Sequence, residues 1–241
     1  MKIFLSILCL LCLNISIAQN YKITYQFKFD KLEYPEETEA YIKQYFEEGL
    51  KKQQQISKTL RLILVSDGKR YYASFNQQML SDNFRFDDVL STKVAVSPIY
   101  PIYYNEAISL AKNVVNPDKL VKVINDKYLT WQITKETKII EGYKCFKAVP
   151  DLKTKKQFNK SVFIPDYVWF SPELNFKASP SVFGDLPGAV LELKHSTAQI
   201  KAAKIEQTDE TVQVIQLRKN QSLTTYEESI KAIQENYRDK M

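Results

Sequence analysis

Strict alternation of apolar and polar side chains over residues 21–29 is the feature that most constrains the fold of this chain. Tyr, Ile, Tyr, Phe and Phe occupy the odd positions, and Lys, Thr, Gln and Lys occupy the even ones. A period of two places the apolar side chains on one face of an extended strand and the polar side chains on the other. The segment therefore predicts a strand with one buried and one solvated face, which needs partner strands in a sheet.

Further β-prone segments follow along the chain. Residues 60–65 and 71–75 flank a turn with Asp67-Gly68, a pair typical of β-hairpins. Residues 76–125, which contain three prolines, predict short strands mixed with loops. Six later segments are rich in the β-branched and aromatic residues that suit a pleated, half-buried surface. They are 127–134, 138–148, 161–170, 189–194, 198–206 and 211–217.

Two segments have the periodicity of amphipathic helices. Residues 36–52 begin with glutamates, which the helix dipole favours in the first turn, and carry apolar residues spaced for one face. These are Tyr41, Ile42, Tyr45, Phe46 and Leu50. Residues 225–239 begin with the capping box Thr225-Tyr226-Glu227-Glu228. Apolar residues then recur at Tyr226, Ile230, Ile233 and Tyr237.

Together these elements predict a mainly β, α+β fold. Many strands and few helices favour an antiparallel sheet over a parallel βαβ array. We expect a curved antiparallel sheet, a half-barrel in its most curved form. The helices 36–52 and 225–239, one internal and one C-terminal, are expected to cover its concave apolar face.

The first 18 residues have the pattern of a secretory signal peptide. Lys2 supplies a positive charge, residues 3–17 are largely apolar, and the small residues of a cleavage site precede Gln19. A membrane anchor would need about 20 apolar residues, more than this run provides. We therefore expect a mature single domain over 19–241 without a transmembrane segment. It would lie in the periplasm, at the outer membrane or outside the cell.

The charge and cysteine content limit the possible partners. The formal net charge is +6, from 34 basic and 28 acidic residues. This balance, with basic clusters that lack interleaved aromatic residues, argues against nucleic-acid binding. After signal cleavage Cys145 is the remaining cysteine, so no internal disulfide can form and we expect a monomer. We expect Cys145 to be a buried small hydrophobe rather than a reactive thiol.

A glycine-proline segment, Gly184-Asp185-Leu186-Pro187-Gly188, is the least generic part of the sequence. Glycine permits close backbone approach, and proline fixes its own φ and biases Leu186 towards an extended conformation. The segment predicts a rigid turn that leads into the strand 189–194. Two interpretations remain open: a structural corner with Leu186 in the core, or a lip over a ligand cavity or partner site.

This segment and the residues before it resemble the GLPGLI family, exported Bacteroidetes proteins of uncharacterised function. The matching positions are Trp169, Pro172, Glu173, Pro180, Phe183, Gly184, Leu186, Pro187, Gly188 and Leu191. A second block, 131–148, resembles the family's W-x-I and G-Y-x-C-x-K-A stretch. Ser179, Asp185 and Ala189-Val190 depart from the pattern. The resemblance implies an exported envelope protein whose possible binding residues are those from Trp169 to Gly188, with Asp185 included.

Sequence motifs for catalysis are absent. The single histidine, His195, lies at a predicted strand end without a nucleophile motif or a second histidine for zinc. There is no phosphate-binding or dinucleotide-binding glycine motif. We therefore expect no metal, no cofactor and no enzymatic activity, although acid–base groups can also converge from distant positions.

Two functional hypotheses from different classes follow. In the first, a non-catalytic envelope protein binds a lipid or another apolar ligand in the concave face of its sheet. In the second, an interaction module docks on an outer-membrane or cell-surface assembly through the loop 171–188. A rigid, proline-rich loop loses little conformational freedom when it binds, which favours such a role.

Overall fold

The computed structural model describes residues 20–76, 84–97, 99–105, 108–113, 119–123, 130–151, 164–215, 217 and 221–238. The predicted signal peptide, residues 1–18, lies outside the described residues. The strands are β1 (Asn20–Phe29), β2 (Leu62–Ser66), β3 (Arg70–Phe75), β4 (Ile99–Asn105), β5 (Ile108–Asn113), β6 (Leu120–Val123), β7 (Trp131–Ile140), β8 (Tyr143–Pro150), β9 (Tyr167–Ser171), β10 (Ala189–His195), β11 (Ala198–Thr208) and β12 (Leu223–Thr225). The helices are α1 (Ala40–Ile56), α2 (Phe86–Val96) and α3 (Tyr226–Arg238).

All the described strands join one curved, unclosed sheet. Its order is β12-β6-β5-β4-β3-β2-β1-β11-β10-β9-β8-β7. The pairings are antiparallel except that β12 runs parallel to β6. The predicted mainly β fold with a curved antiparallel sheet is confirmed.

The alternation in β1 defines the two faces of the sheet. Ile23, Tyr25, Phe27 and Phe29 are all buried, whereas Gln26 between them is exposed. We call the face that carries these apolar residues the inner face, and the opposite one the outer face. The predicted hairpin is also present, because β2 and β3 pair around a turn in which Gly68 has a φ of +89°.

The boundary between β7 and β8 differs from the prediction. The break was expected near residues 135–137, but β7 continues through this polar stretch and the turn falls at Glu141-Gly142. Both turn residues have positive φ, +48° and +84°, which matches the twist of a two-residue hairpin loop. Polar residues are tolerated in β7 because it is the edge strand of the sheet.

The strand predicted over 211–217 is wrong. The described residues 211–215 and 217 have no regular secondary structure. The preceding strand β11 already pairs with β1 on one side and β10 on the other. The pairing with β10 covers residues 198–201 of β11. The described part of the segment after β11 adds no strand beside residues 202–208, despite its apolar residues.

The first helix is present, but three of the five residues of its predicted apolar face are exposed. Tyr41 and Tyr45 are each 68% exposed and Phe46 is 47% exposed, whereas Leu50 and Ile56 are buried. The C-terminal half of α1 packs near the end of β1, where the Gln54 side chain donates a hydrogen bond to the Phe29 carbonyl. The aromatic N-terminal half is left in solvent.

Helix α2 was not predicted, because residues 76–125 were interpreted as short strands and loops. Asp87 and Asp88 lie in its first turn, where the helix dipole favours negative charge. Asp88 also accepts a hydrogen bond from the Lys52 side chain at 3.1 Å, which ties α2 to α1.

The C-terminal helix begins with the predicted capping box. The backbone N–H of Thr225 donates to the Glu228 carboxylate at 3.0 Å, and the Glu228 N–H donates to Thr225 Oγ1 at 3.2 Å. Tyr226 and Ile230 are buried, as their spacing predicted. The two helices were expected to cover the apolar face of the sheet. The inner face is instead covered chiefly by the loop between β9 and β10.

Candidate binding surfaces

The loop between β9 and β10, residues 172–188, is folded into the protein. It returns beside the start of β10, where the Val190 N–H donates to the Ala178 carbonyl at 2.8 Å. Its apolar side chains are almost fully buried. They are Leu174, Phe176, Ala178, Val182, Phe183 and Leu186. The loop is therefore part of the core.

Contacts from three separate elements hold the loop against the inner face. Phe176 stacks on Tyr21 of β1 with ring centroids 5.0 Å apart. The Tyr100 hydroxyl of β4 donates a hydrogen bond to the Pro180 carbonyl. Phe183 makes an edge contact with Tyr226 at the start of α3, at 5.2 Å. The loop thus joins the middle of the sheet to the C-terminal helix.

The two glycines of the loop lie where a side chain has no room. A Cβ at Gly184 would lie 2.1 Å from Ser179 Cβ, and one at Gly188 would lie 2.2 Å from the Ser171 carbonyl oxygen. Gly188 also has a φ of +149°, which L side chains rarely adopt. Close backbone approach therefore requires glycine at both positions.

Serine side chains complete the internal scaffold of the loop. Ser179 Oγ accepts from the Ser181 N–H at 3.1 Å and donates to the Phe183 carbonyl at 3.2 Å. Ser181 Oγ accepts from the Phe183 N–H at 3.2 Å. These bonds satisfy backbone groups in a segment without regular structure, which is a requirement for burying a loop.

The structure places the predicted binding residues in different environments. Pro180, Phe183, Gly184, Leu186 and Gly188 are buried in the loop. Pro172, Glu173 and Pro187 are exposed at its rim. Asp185 is half-buried and forms an ion pair with Lys177 inside the same loop.

Trp169 is separated from the rest of the predicted set. It pairs across strands with Glu192 and Lys147, and Glu192 pairs in turn with Lys201, opposite the outward-facing Gln26. Residues directly opposite each other share a face of the sheet. Trp169 therefore lies on the outer face, away from the buried loop residues.

A charged network surrounds Trp169 on the outer face. The Lys138 ammonium lies 4.3 Å from the centroid of the Trp169 ring and 2.7 Å from Glu192 Oε1. Glu192, which is 2% exposed, also accepts a hydrogen bond from Gln199 at 3.0 Å. The carboxylate and the indole face thus already have partners from β7 and β11.

The thiol of Cys145 and the imidazole of His195 are the most reactive side chains considered from the sequence, and both are shielded from solvent to some degree. Cys145 is fully buried, as predicted, and burial raises the pKa of its thiol to about 11. The thiol is therefore protonated at neutral pH and a poor nucleophile. His195, expected at the surface, is half-buried at the end of β10. Burial lowers its pKa, and the nearby Asp166 opposes this shift.

An exposed aromatic surface lies on the N-terminal half of α1. It consists of Tyr41, Tyr45 and Phe46, and the rings of the last two meet at a centroid distance of 5.6 Å. Tyr41 and Tyr45 are one helical turn apart and so adjoin on the helix surface. The sequence pattern correctly grouped these residues on one face of the helix, but it did not show that this face is exposed to solvent.

A groove on the outer face was not predicted from the sequence. It has a volume of about 340 Å³ and lies between strands β4–β6 and the irregular residues 213–215 and 217, with β12 at one end. Its described lining is largely apolar or aromatic, with Lys122 as the one charged side chain. The lining residues are Tyr103, Tyr104, Asn105, Leu110, Lys122, Gln213, Val214, Ile215, Leu217 and Leu223.

The part of the chain that the structure describes has neither a metal-binding cluster nor a membrane-spanning helix. No group of three or more His, Cys, Asp or Glu residues there could hold a metal ion. None of the helices within the described ranges is long and apolar enough to cross a membrane.

Comparison with known proteins identifies one family. Residues 97–228, more than half of the chain, match the family model described as "N-glycanase peptide, N-terminal domain". This match overturns the resemblance to the GLPGLI family. The glycine-proline motif that suggested the resemblance is fixed by local crowding at Gly184 and Gly188. A motif set by such crowding can arise in unrelated proteins that need the same corner.

Two solved structures, both described as PNGF-II, are similar to the chain. The structure in the C2 space group has 18% sequence identity and a TM-score of 0.46, and the one in P21 has 17% and 0.45. Each comparison covers 88% of this chain but only 32% and 33% of the respective PNGF-II chain. The chain thus spans about a third of the length of these structures. No curated protein matches it.

Proposed function

Because the chain belongs to the N-glycanase peptide N-terminal domain family, we propose that it is an exported, non-catalytic module that supports glycoprotein deglycosylation by docking on a glycanase catalytic domain. The family description supports this role, since it names a domain that precedes the rest of a glycanase. The signal-peptide pattern of residues 1–18 supports export.

The aromatic surface on α1 is the observation that carries the docking proposal. Tyr41 and Tyr45 are each 68% exposed, and Phe46 adds a third ring. Aromatic residues are enriched in protein interfaces and supply much of their binding energy. In the second half of the same helix, Leu50 and Ile56 anchor α1 to the protein. The surface is thus presented on a fixed support.

The geometry favours this surface over the two sites expected from the sequence. Loop 172–188 fills the inner face, which leaves little room there for a lipid. The large apolar side chains of the same loop are buried in the core, so only its solvent-exposed residues could contact a docking partner. The exposed residues of the loop are Pro172, Glu173, Asn175, Lys177 and Pro187.

Docking is tested by calorimetry with the purified chain and the catalytic domain of an N-glycanase from the matched family. We expect binding that Tyr41→Ser/Tyr45→Ser weakens at least tenfold, since truncation of an interface hot spot costs about 2 kcal/mol or more. Phe86→Ser, at a residue that is 67% exposed on α2, is the matched control and should bind normally. Equal binding by all three proteins would refute docking through α1.

The non-catalytic assignment needs a separate assay. The chain alone, incubated with an N-glycosylated peptide, should release no glycan detectable by mass spectrometry. A positive control with an active N-glycanase shows that the substrate is competent. Glycan release by the chain itself, retained after repurification, would contradict the assignment.

A further inference from the structure

The outer-face groove combines an apolar trough with one cationic end. Strand register places Tyr103 of β4, Leu110 of β5 and Lys122 of β6 directly opposite one another. Directly opposite residues share a face, and neighbouring strands lie about 4.8 Å apart. The row therefore extends about 10 Å from the Tyr103 ring to the base of Lys122.

The trough continues beyond Tyr103 and is covered from above. The Tyr103 ring contacts Tyr72 of β3 at a centroid distance of 4.9 Å, which extends the aromatic floor by one strand. Val214 and Leu217 of the crossing segment are 55% and 49% exposed, although they line the groove. An apolar ligand beneath them would remove part of this exposed apolar surface from water, which would stabilise the complex.

We propose that this groove binds a single-chain fatty acid, with the alkyl tail along the Leu110–Tyr103 trough and the carboxylate at Lys122. The charge favours an anion, because Lys122 is the one charged side chain in the described lining. The volume of about 340 Å³ is at the lower end of ligand pockets. It suits one alkyl chain better than the two chains of a membrane lipid.

The length of the alkyl chain provides the first test. Octanoate, decanoate and dodecanoate are titrated below their micellar concentrations into the intact chain, with calorimetry as the readout. Burial of each added methylene should tighten binding about fourfold until the trough is full. Val214→Ser/Leu217→Ser removes exposed groove residues and should weaken binding of every chain length. No change of affinity with chain length would overturn the proposal.

The head group provides the second test. Dodecanoate should bind more tightly than a dodecyl glucoside, and dodecyltrimethylammonium should bind most weakly. Lys122→Gln should reduce the preference for the anion by about two- to fivefold, the range for a partly exposed ion pair. Lys112→Gln, on neighbouring β5 but outside the groove lining, is the matched control and should retain the preference.

The two tests separate the site from its specificity. If Val214→Ser/Leu217→Ser abolishes binding but Lys122→Gln leaves the anion preference intact, the carboxylate is not at Lys122 and the proposed orientation is wrong. If the chain binds anionic vesicles but no dispersed fatty acid, a membrane surface is the ligand and the proposal fails. Docking of a glycanase through α1 would be unaffected by either result.

Discussion

Substitution of Gly188 by alanine tests the corner between the buried loop and β10. The added Cβ would lie 2.2 Å from the Ser171 carbonyl oxygen and 2.9 Å from the Pro172 Cα. Both are backbone atoms, so no side-chain rotation can relieve the overlap. Overpacking of this kind costs about 1–3 kcal/mol, and the φ of +149° adds strain of about 1–3 kcal/mol. We expect the free energy of unfolding to fall by about 2–6 kcal/mol.

A thermal melt followed by circular dichroism measures this loss. For a domain of this size, each kcal/mol lowers Tm by about 2–4 °C, so Gly188→Ala should melt about 4–24 °C below the wild type. Gly49→Ala is the control, because no atom lies within 4 Å of a Cβ at that helical, exposed position. Alanine should stabilise α1 there by about 0.5–1 kcal/mol. Equal Tm values for Gly188→Ala and the wild type would refute the packed-corner account.

Three further predictions follow from local geometry. Gly184→Ala should be destabilising, because the added Cβ would lie 2.1 Å from the Ser179 Cβ. Ser179→Gly removes that atom together with two hydrogen bonds of the loop, so the double variant should lose less stability in melts than the sum of the two single losses; additive losses would contradict this. Cys145 should resist a thiol reagent in the native state at pH 8, with its pKa raised to about 11, and react on unfolding; fast native reaction would contradict its burial. Hydrogen bonds from Thr225 lower the pKa of Glu228 in the folded protein. The stabilisation of α3 by the ionised Glu228 is therefore fully present above the pKa that Glu228 has in the unfolded chain, and it is lost as pH falls through the lower pKa of the folded state. Glu228→Gln should reduce this acid sensitivity in hydrogen exchange of α3, and an unchanged profile would count against the cap.

The strands with local signals were predictable from the sequence. Period-two alternation located β1, and Asp67-Gly68 located the β2–β3 turn, because each signal reflects the chain's immediate neighbourhood. The Glu141-Gly142 turn was missed, since β7 is an edge strand whose polar residues resemble a loop. Segment 211–217 has a strand-like composition, but its described residues 211–215 and 217 join no strand of the sheet, which composition alone does not reveal.

The direction of an amphipathic face was harder to predict than its existence. The periodicity of α1 correctly grouped Tyr41 with Tyr45, yet the core had already been filled from elsewhere. Loop 172–188 packs Phe176 and Phe183 against the inner face, and an irregular loop has no hydrophobic periodicity from which this burial could be predicted. Hydrophobic spacing shows which residues share a face, whereas long-range topology decides which faces are covered.

The same distinction explains why the predicted site and the groove differ. The predicted set was contiguous in sequence, but alternation along β9 places Trp169 on the outer face while loop 172–188 packs on the inner face. The groove has the opposite character. Lys122 and Leu110 are brought beside Tyr103 only by strand register, and residues 213–215 and 217, from far along the chain, form the other side of the groove. A binding surface made by register leaves no contiguous motif, so it is expected to escape motif analysis even when each of its strands is recognised.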